Sequence, residues 1–496
     1  MSLDRRGAGV AALLGLLVAA SLAVRARRLG EGYWIDEGLS VGIASHPLRE
    51  IPGLLGQDGS PPLYYALLHV WIEAAGTGEA ATHALSLAFA LLTVPAAYWA
   101  GSSLFGRGAG WGCAAVAAVN PFLTRYATET RMYSLVVLLS LLAAAAFVHA
   151  FVLGRRGYLP PVAVLLALLL YTHNWGLYVL GAAAAAVALL AARTRPRAPL
   201  LRDGALALGG AALLYLPWIP TLVDQARRTG APWSASPGVA DLLGGIAVPL
   251  GGPAAAGLLL LAAAAVVRAA AAARPALVTL VVLFAVPLAA GWLVATQVPG
   301  WSTRYLAVAA GPLVLLAGVG VARAPVLGVV ALAAAVAPWS LPADPKPKSN
   351  VSALAAAVAP RLGPGDLVVS TQPEQVAVLA HYLPPGLSYA TPLGPVADPG
   401  VMDWRDALPR LELARPERAL APLVMRLPPG ARLLLVSPDA DGPGNWRTSW
   451  TGAVVRRTAE WESALAADPR LRRVWVGAPG ETTKLTRVRA VLFLRV

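Results

Sequence analysis

The chain has few charged residues and almost no cysteine. Only 13% of its 496 residues are Asp, Glu, Lys or Arg, whereas 57% are hydrophobic and the mean hydropathy is +0.62. A soluble domain has about 25% charged residues. Cys113 is the single cysteine, which excludes an intrachain disulfide and a cysteine-rich metal site. Because apolar runs long enough to cross a bilayer recur through the first two thirds, the sequence predicts a polytopic membrane protein.

About eleven apolar segments predict transmembrane helices. They lie near residues 8–24, 81–100, 109–123, 132–153, 158–172, 175–192, 204–220, 252–272, 276–295, 305–321 and 325–340. The run Leu63–Ala75 is too short to cross roughly 30 Å of hydrocarbon and predicts an interfacial or re-entrant helix. It lies within a long first outer loop, residues 25–80. We therefore predict a polytopic α-helical membrane domain over residues 1–340.

Basic residues predict the orientation of this domain. The formal net charge is +14 and is carried almost wholly by arginine. Most loop arginines fall on the side of the amino terminus, which the positive-inside rule makes cytoplasmic. Arg25, Arg27 and Arg28 directly follow the first span and oppose this assignment. The Arg-rich, Lys-poor composition is typical of a GC-rich bacterium, so we expect a bacterial plasma (inner) membrane protein. No basic stripe with interleaved aromatics predicts a nucleic-acid partner.

The last third of the chain changes character after a proline-rich linker, Pro342–Lys348. Residues 341–496 alternate helical and strand patterns and predict a small soluble α/β domain, outside the cell if the number of spans is odd. We expect it to support the membrane domain without catalysis of its own. Helices are expected at Ala353–Val358, Pro373–Leu383, Trp404–Leu411 and Trp450–Ala467, and strands at Asp366–Ser370, Arg432–Val436 and Arg487–Leu494.

Carboxylates, arginines and aromatics gather in the outer loops. The candidates are Asp36, Glu37, Asp58, Tyr64, Tyr65, Glu129, Arg131, His173, Trp218, Arg304 and Tyr305. A carboxylate can deprotonate a hydroxyl nucleophile, and arginine holds phosphate oxygens by paired hydrogen bonds. Trp and Tyr can stack on a sugar ring. The set suits transfer of a sugar from a lipid phosphate carrier to a hydroxyl acceptor.

Short motifs in the same order carry a resemblance to a known family. They are Asp36-Glu37, Pro61-Pro62-Leu63-Tyr64-Tyr65, Tyr126-Ala127-Thr128-Glu129-Thr130-Arg131-Met132-Tyr133, Tyr171-Thr172-His173, Leu216-Pro217-Trp218 and Arg304-Tyr305-Leu306. Over residues 8–340 the chain resembles C-superfamily membrane glycosyltransferases, specifically the bacterial group related to protein O-mannosyltransferases and the lipid A aminoarabinose transferase. The tail resembles the variable soluble domains that such enzymes append.

The resemblance implies an inverting transfer from a polyprenyl-phosphate-linked sugar to an extracytoplasmic glycan, lipid or protein. It makes Asp36 the general base or the group that orients the acceptor, supported by Glu37. It assigns Arg131, Arg304, Tyr305 and His173 to the donor phosphate, and Asp58, Tyr64, Tyr65, Glu129 and Trp218 to substrate contact. Ser60 departs from the basic residue or histidine that related enzymes carry before the Pro-Pro pair, which puts aminoarabinose transfer in doubt.

Several alternatives stay open from the sequence. A divalent cation (Mg, Mn or Ca) could bind among Asp36, Glu37 and Glu129, because hard cations prefer carboxylates. Asp36-Glu37 also suits a helix N-terminus, and Glu129 could neutralise Arg131. The alternative functions are a transporter or lipid flippase of cell-envelope precursors, and a receptor or assembly protein. Ionisable residues in end loops and the lack of an internal repeat argue against a transporter.

Overall fold

The computed structural model describes residues 5–340, 347–440, 446, 448–477 and 487–496, and its first part is helical. The helices of this part are α1 Arg5–Arg25, α2 Ile35–Ala44, α3 Ile51–Asp58, α4 Leu63–Ala75, α5 Glu79–Phe105, α6 Arg107–Val119, α7 Pro121–Tyr126, α8 Tyr133–Phe147, α9 Leu159–Thr172, α10 Gly176–Arg193, α11 Ala198–Tyr215, α12 Ile219–Arg228, α13 Val239–Ala247, α14 Ala256–Val267, α15 Arg274–Ala295, α16 Ala307–Arg323 and α17 Pro325–Ser340. The predicted interfacial segment forms α4 with the bounds expected from the sequence.

Seven helical segments of the described chain are long and apolar enough to cross a membrane, or eight if one bent pair counts as a span. They are Gly7–Arg28, Glu79–Phe105, Tyr133–Val152, Gly176–Arg193, Ala198–Arg228, Arg274–Ala295 and Thr303–Arg323, with Val239–Leu250 and Pro253–Val267 as the pair bent by 67°. The multi-pass helical class is thereby confirmed, whereas a count of eleven is not. The other predicted segments are helical but shorter. The segment at 109–123, for example, is divided where Asn120 caps the helix that Pro121 begins.

Helices α8 and α16 form the centre of the membrane domain, and most of their side chains are buried. Close approach of α16 to α6 depends on glycine. A Cβ at Gly318 would collide with the backbone of Cys113, and a Cβ at Gly112 would collide with the carbonyl of Gly318. Cys113 is fully buried at this contact and acts as a small packing residue.

Arg25 explains part of the conflict over orientation. Its side chain is only 1% exposed and donates to three neutral acceptors, the Ala117 carbonyl at 2.8 Å, the Ala90 carbonyl at 3.2 Å and Thr124 Oγ1 at 3.3 Å. Charged donors satisfied in this way are tolerated inside a helical bundle. Arg25 therefore caps helical carbonyls within the protein and is not a free loop charge of the kind that the positive-inside rule counts.

The C-terminal part is a small α/β domain, as predicted. Its strands are β1 Leu367–Ser370, β2 Ser388–Thr391, β3 Gly394–Val396, β4 Arg432–Pro438, β5 Leu471–Gly477 and β6 Val488–Arg495, and its helices are α18 Val351–Val358, α19 Val376–Tyr382, α20 Ala407–Leu413, α21 Pro416–Ala419, α22 Ala421–Arg426 and α23 Ser449–Ala467. The sheet order is β3-β2-β1-β4-β6-β5, with β1 parallel to β2 and β4 and the other pairs antiparallel.

The sequence patterns identified strands β1, β4 and β6 and missed β2, β3 and β5. Strands β1, β4 and β6 are confirmed, because their apolar runs are buried. Strand β3 has only three residues, and β5 is mostly exposed and carries two adjacent arginines, Arg472 and Arg473. Neither gives the apolar pattern that identifies a strand. The helix expected at Trp404–Leu411 begins only at Ala407.

The C-terminal domain packs directly on α2. Ile35 and Leu39 share an apolar cluster with Ala377 and Trp450. Gly38 and Gly42 allow the close approach, because a Cβ at Gly38 would overlap Val378 and one at Gly42 would overlap Gly400. Helix α2 is therefore buried on nearly every side, between the membrane helices and the sheet domain.

Candidate active site

The first turn of α2 presents two adjacent carboxylates in different directions. Asp36 Oδ2 lies 2.7 Å from Arg304 Nη1 and 4.0 Å from Arg131 Nε. The three side chains keep 18%, 16% and 13% of their surface exposed, respectively. Asp36 also lies at a helix N-terminus, where the helix dipole favours a negative charge. The three predicted residues therefore form one partly accessible cluster at the ends of several helices.

Arg131 is fixed by neutral groups on two helices. Its Nη1 donates to Ser40 Oγ at 3.0 Å and to the Tyr65 hydroxyl at 3.1 Å. Burial raises the pKa of Tyr65 to about 12, so this hydroxyl stays protonated at neutral pH. The Nε of Arg131 is buried and has no hydrogen-bond partner among the residues that the structure describes. The guanidinium is thus held in place, and its Nε is not satisfied by any of the described residues.

Arg304 is enclosed by aromatic rings. Its guanidinium carbon lies 5.4 Å from the ring centre of Trp34, 5.3 Å from that of Trp233 and 5.7 Å from that of Tyr305. Cation–π contacts of this kind hold a guanidinium in one orientation. Like Arg131, Arg304 has a buried Nε without a partner in the described part of the chain. Trp233 was not among the predicted site residues, although it lies in a predicted outer loop.

His173 lies beside this cluster and is uncharged. Its ring centre is 4.8 Å from that of Tyr305. Burial, together with the nearby charges of Arg131 and Arg304, lowers the pKa of His173 to about 3. Nδ1 accepts a hydrogen bond from the backbone of Trp175 at 3.1 Å, so the proton of the neutral ring lies on Nε2. His173 is therefore a neutral donor and adds no further positive charge.

Asp58, Tyr64 and Tyr65 come from the first loop but have different surroundings. Asp58 is hydrogen-bonded to Ser60 and Tyr65, and burial raises its pKa, against the opposing effects of these hydrogen bonds and of Arg131. Its carboxylate thus lies behind Tyr65, which contacts Arg131 directly. The Tyr64 hydroxyl instead meets Ser86 Oγ at 3.3 Å in the protein core. The structure brings Asp58 and Tyr65 to the cluster and points Tyr64 away from it.

Glu37 lies on a different face of α2 from Asp36 and is fully buried. Its oxygens accept from His83 Nε2 at 2.6 Å, from the backbone of Thr130 at 2.8 Å and from Lys348 Nζ at 2.7 and 2.9 Å. Burial alone would raise the pKa of Glu37, but the charges and hydrogen bonds of Lys348 and His83 lower it well below its usual range. Glu37 is an ionised group whose partners are all within the protein.

The remaining candidates have less direct relations to the cluster. Glu129 is 2% exposed and its carbonyl accepts the Arg131 backbone N–H at 2.7 Å, which shapes the turn that carries Arg131. Trp218 is 6% exposed, and its indole N–H has no hydrogen-bond partner among the described residues. No described ring contact or hydrogen bond joins Trp218 to Asp36 or to either arginine.

The donor set of the cluster suits an anion. Within the described ranges, no group of three or more His, Cys, Asp or Glu side chains is placed to hold a metal ion. Asp36 is paired with Arg304, and Glu37 is paired with Lys348. Arginine side chains bind phosphate oxygens, and here two guanidinium groups lie next to a partly exposed carboxylate.

The fold occurs in known membrane glycosyltransferases. ArnT from Cupriavidus metallidurans bound to undecaprenyl phosphate superimposes with a TM-score of 0.64 and 16% identity over 97% of this chain and 98% of that one. ArnT in the apo state gives a TM-score of 0.62 and 16% identity over 98% of each chain. The arabinofuranosyltransferase AftD from mycobacteria gives a TM-score of 0.52 and 15% identity over 100% of this chain and 42% of that one.

The chain therefore has the fold of ArnT, which agrees at the level of fold with the resemblance seen in the short motifs. In particular, it shares with ArnT both the helical membrane domain and the small domain that follows it. No protein-family model matches the sequence, and no curated protein matches it either.

Proposed function

We infer that the chain is a glycosyltransferase that moves a sugar from a polyprenyl-phosphate-linked donor to a hydroxyl group of an extracytoplasmic glycan, lipid or protein. The observation that carries this proposal is the Asp36 carboxylate, held 2.7 Å from Arg304 and 4.0 Å from Arg131 at one end of the membrane helices. A base next to two phosphate-binding groups is what such a transfer needs. The structure of ArnT bound to undecaprenyl phosphate, which has the same fold, supports this assignment.

The proposed reaction is a single displacement. The acceptor oxygen attacks the anomeric carbon while the bond from that carbon to the phosphate oxygen breaks, and Asp36 accepts the hydroxyl proton. Base catalysis of this kind contributes about 10²–10⁴-fold. Arg304 and Arg131 stabilise the charge that returns to the departing polyprenyl phosphate. Phosphate is a good leaving group, so no covalent enzyme intermediate is needed.

Because Asp36 forms an ion pair with Arg304, the phosphate of the sugar donor has a second role in this scheme, which is to release Asp36 from Arg304. While Arg304 is bound to Asp36, the carboxylate has a strong competing partner. A donor phosphate that takes hydrogen bonds from Arg304 weakens that competition and frees Asp36 for the acceptor hydroxyl. The neutral ring of His173 adds a donor near the phosphate without adding a charge that would compete for Asp36.

The other predicted site residues divide by their surroundings. For Glu37, which was expected to be catalytic, we propose a structural part in holding α2, because its oxygens already have partners within the protein. We propose that Asp58 orients Tyr65, and that Tyr305 packs between Arg304 and His173. Roles of Glu129 and Trp218 in substrate binding stay predictions. The same holds for a divalent cation among Asp36, Glu37 and Glu129.

We further propose that this multi-pass protein lies in a bacterial plasma membrane with the Asp36 site and residues 341–496 outside. A sugar donor carried on a polyprenyl phosphate and an acceptor in the envelope meet on that face. A transporter or flippase would place its ionisable groups near the middle of the bilayer. Here Asp36, Arg131 and Arg304 lie at helix ends, which favours an enzyme working at the membrane surface.

The test is sugar transfer by purified protein. Radiolabelled polyprenyl-phosphate sugars, both hexosyl and pentosyl, are offered with a membrane or cell-wall extract as acceptor. We expect one donor to be consumed and the label to appear in an extractable glycan, lipid or protein. Absence of transfer from every donor, together with movement of a labelled polyprenyl phosphate across liposomes that contain the protein, would replace this proposal by the flippase alternative.

A further inference from the structure

Glu37 is bound by a lysine that lies 311 residues further along the chain. Lys348 Nζ lies 2.7 and 2.9 Å from the two Glu37 oxygens and 2.9 Å from the carbonyl of Thr128. Its side chain is only 6% exposed. A buried carboxylate is costly unless charges compensate it, and removal of Lys348 would take away the larger of the two charge contributions, leaving that of His83. Lys348 is therefore needed where it lies, although it belongs to the segment that leads into the C-terminal domain.

The residue type supports this reading. Only three of the forty basic residues of the chain are lysines. An ammonium is compact and can donate to three oxygens around one atom, whereas a guanidinium is a planar fork with another geometry. The three oxygens around Lys348 Nζ, two from Glu37 and one from Thr128, match the ammonium.

The same segment is anchored to the sheet. Two residues after Lys348, the Asn350 side chain donates to the Val488 carbonyl at 2.8 Å and accepts from the Val488 N–H at 2.9 Å, at the start of β6. The backbone N–H of Lys348 donates to Glu31 Oε1 at 3.0 Å. The sheet domain is thus tied through a few residues to the turn that carries both carboxylates.

Asp36 directly precedes Glu37 in the first turn of α2. Its carboxylate points toward Arg304 and Arg131, while Glu37 points toward Lys348 and His83. A displacement of the backbone at Glu37 would therefore also displace the Asp36 carboxylate, because both residues belong to one helical turn. A base that is misplaced by about 1 Å can lose about 100-fold in rate.

We propose that Lys348 is a positioning residue for Asp36: it neutralises Glu37 inside the membrane domain, fixes the first turn of α2, and makes the C-terminal domain part of the catalytic scaffold. This deepens the proposed glycosyltransferase function and rests on it for the kinetic part of the test. The domain was expected only to support the enzyme, whereas here it supplies a side chain that the site requires.

The experiment compares Lys348→Met with Asp398→Asn in the full-length protein. Asp398 also joins the C-terminal domain to the end of α2, through a contact of 2.8 Å to His46 Nε2, but it lies far along α2 from Asp36. We expect Lys348→Met to lower kcat about 10- to 100-fold while the Kd for undecaprenyl phosphate changes less than about twofold, because Arg131 and Arg304 are untouched. We expect Asp398→Asn to retain the wild-type kcat.

Hydrogen–deuterium exchange gives a readout that does not require activity. Lys348→Met should raise exchange in peptides that cover residues 34–40, and Asp398→Asn should leave those peptides protected. Equal losses of kcat and of undecaprenyl phosphate affinity, or unchanged exchange in residues 34–40, would overturn the positioning role. If the wild type transfers no sugar from any donor, the proposed function falls, and the exchange data still decide whether Lys348 fixes α2.

A second variant tests the proposal if Lys348→Met fails to fold. Lys348→Met with Glu37→Gln leaves no uncompensated charge in the interior, so it should fold where the single variant does not. Because the ammonium contacts are still missing, we expect its kcat to lie between those of Lys348→Met and the wild type, with an unchanged Kd for undecaprenyl phosphate. Wild-type kcat and wild-type exchange in this double variant would refute the proposal.

Discussion

Asp36 and Glu37 are neighbours with the same charge, and the structure gives them opposite surroundings. Asp36 keeps 18% of its side chain exposed and faces two arginines that retain unsatisfied donors. Glu37 is fully buried, and Lys348, His83 and the backbone of Thr130 occupy its oxygens. A carboxylate that can exchange its partner is suited to chemistry, whereas one with saturated partners is suited to holding structure. Substitutions that separate activity from stability test this comparison.

The largest effect is expected at Asp36. Asp36→Asn keeps the size of the side chain and removes the base, so the transfer rate should fall about 10²–10⁴-fold. The thermal unfolding midpoint of the purified protein should change little, because the site is partly exposed. Wild-type turnover by this variant would reject Asp36 as the base.

Arg304 tests the phosphate side of the same cluster. Arg304→Ala removes a charged donor together with its contacts to Trp34 and Trp233, and we expect the donor Kd to rise about 30-fold or more. The apparent KM for the acceptor should change much less. An unchanged affinity for undecaprenyl phosphate would remove Arg304 from the phosphate site. Arg228→Ala, at an exposed pair with Asp224, is the matched control.

Glu37 should control stability and its pH dependence. The carboxyl of an unfolded glutamate has a pKa of about 4.3, and Lys348 and His83 hold the pKa of Glu37 below that value in the folded protein. Its contribution is therefore fully present above the unfolded pKa and is lost as the pH falls through the lower, folded pKa. The unfolding midpoint of the wild type should drop as the pH falls below about 5. Glu37→Gln should start from a lower midpoint at pH 7 and show a smaller drop. Equal pH profiles for both proteins would contradict the buried ion pair.

The smallest effects are expected at the paired tyrosines. Tyr65→Phe removes one hydrogen bond to Arg131, a loss of about 0.5–1.5 kcal/mol, so donor affinity should weaken about two- to tenfold. Tyr64→Phe removes a hydroxyl that meets Ser86 in the core and should leave donor affinity unchanged. Donor titrations of the two variants side by side distinguish them. A larger effect from Tyr64 would show that the site extends to the other side of α4.

Much of the membrane architecture could be predicted from the sequence. All the apolar segments identified there are helical, and α4 has the predicted bounds. Apolar length and flanking proline are local properties, so they survive folding unchanged. The number of spans could not be settled in this way, because short helices such as α6 and α7 cross or turn according to their neighbours.

The candidate site could be predicted only as a collection of residue types. Asp36, Arg131 and Arg304 were identified from their loops, and the structure brings a guanidinium nitrogen of each arginine within 4.0 Å of Asp36 Oδ2. Trp233 and Lys348 were not identified as site residues. The rarity of lysine in this arginine-rich chain was the available signal for Lys348, but nothing in its surroundings in the sequence connects it to Glu37.

The sequence by itself determined that this is a membrane protein of many helices with a small α/β domain, and that its predicted outer loops hold carboxylates, arginines and aromatic rings. These properties follow from local composition, because the free energy of moving a segment from water into the bilayer depends on the residues of that segment. Only the tertiary structure decided which carboxylate faces the arginines, that Arg25 is an internal cap, and that Lys348 reaches Glu37 across 311 residues. Burial and charge pairing depend on the packing of distant segments, so no local pattern encodes them.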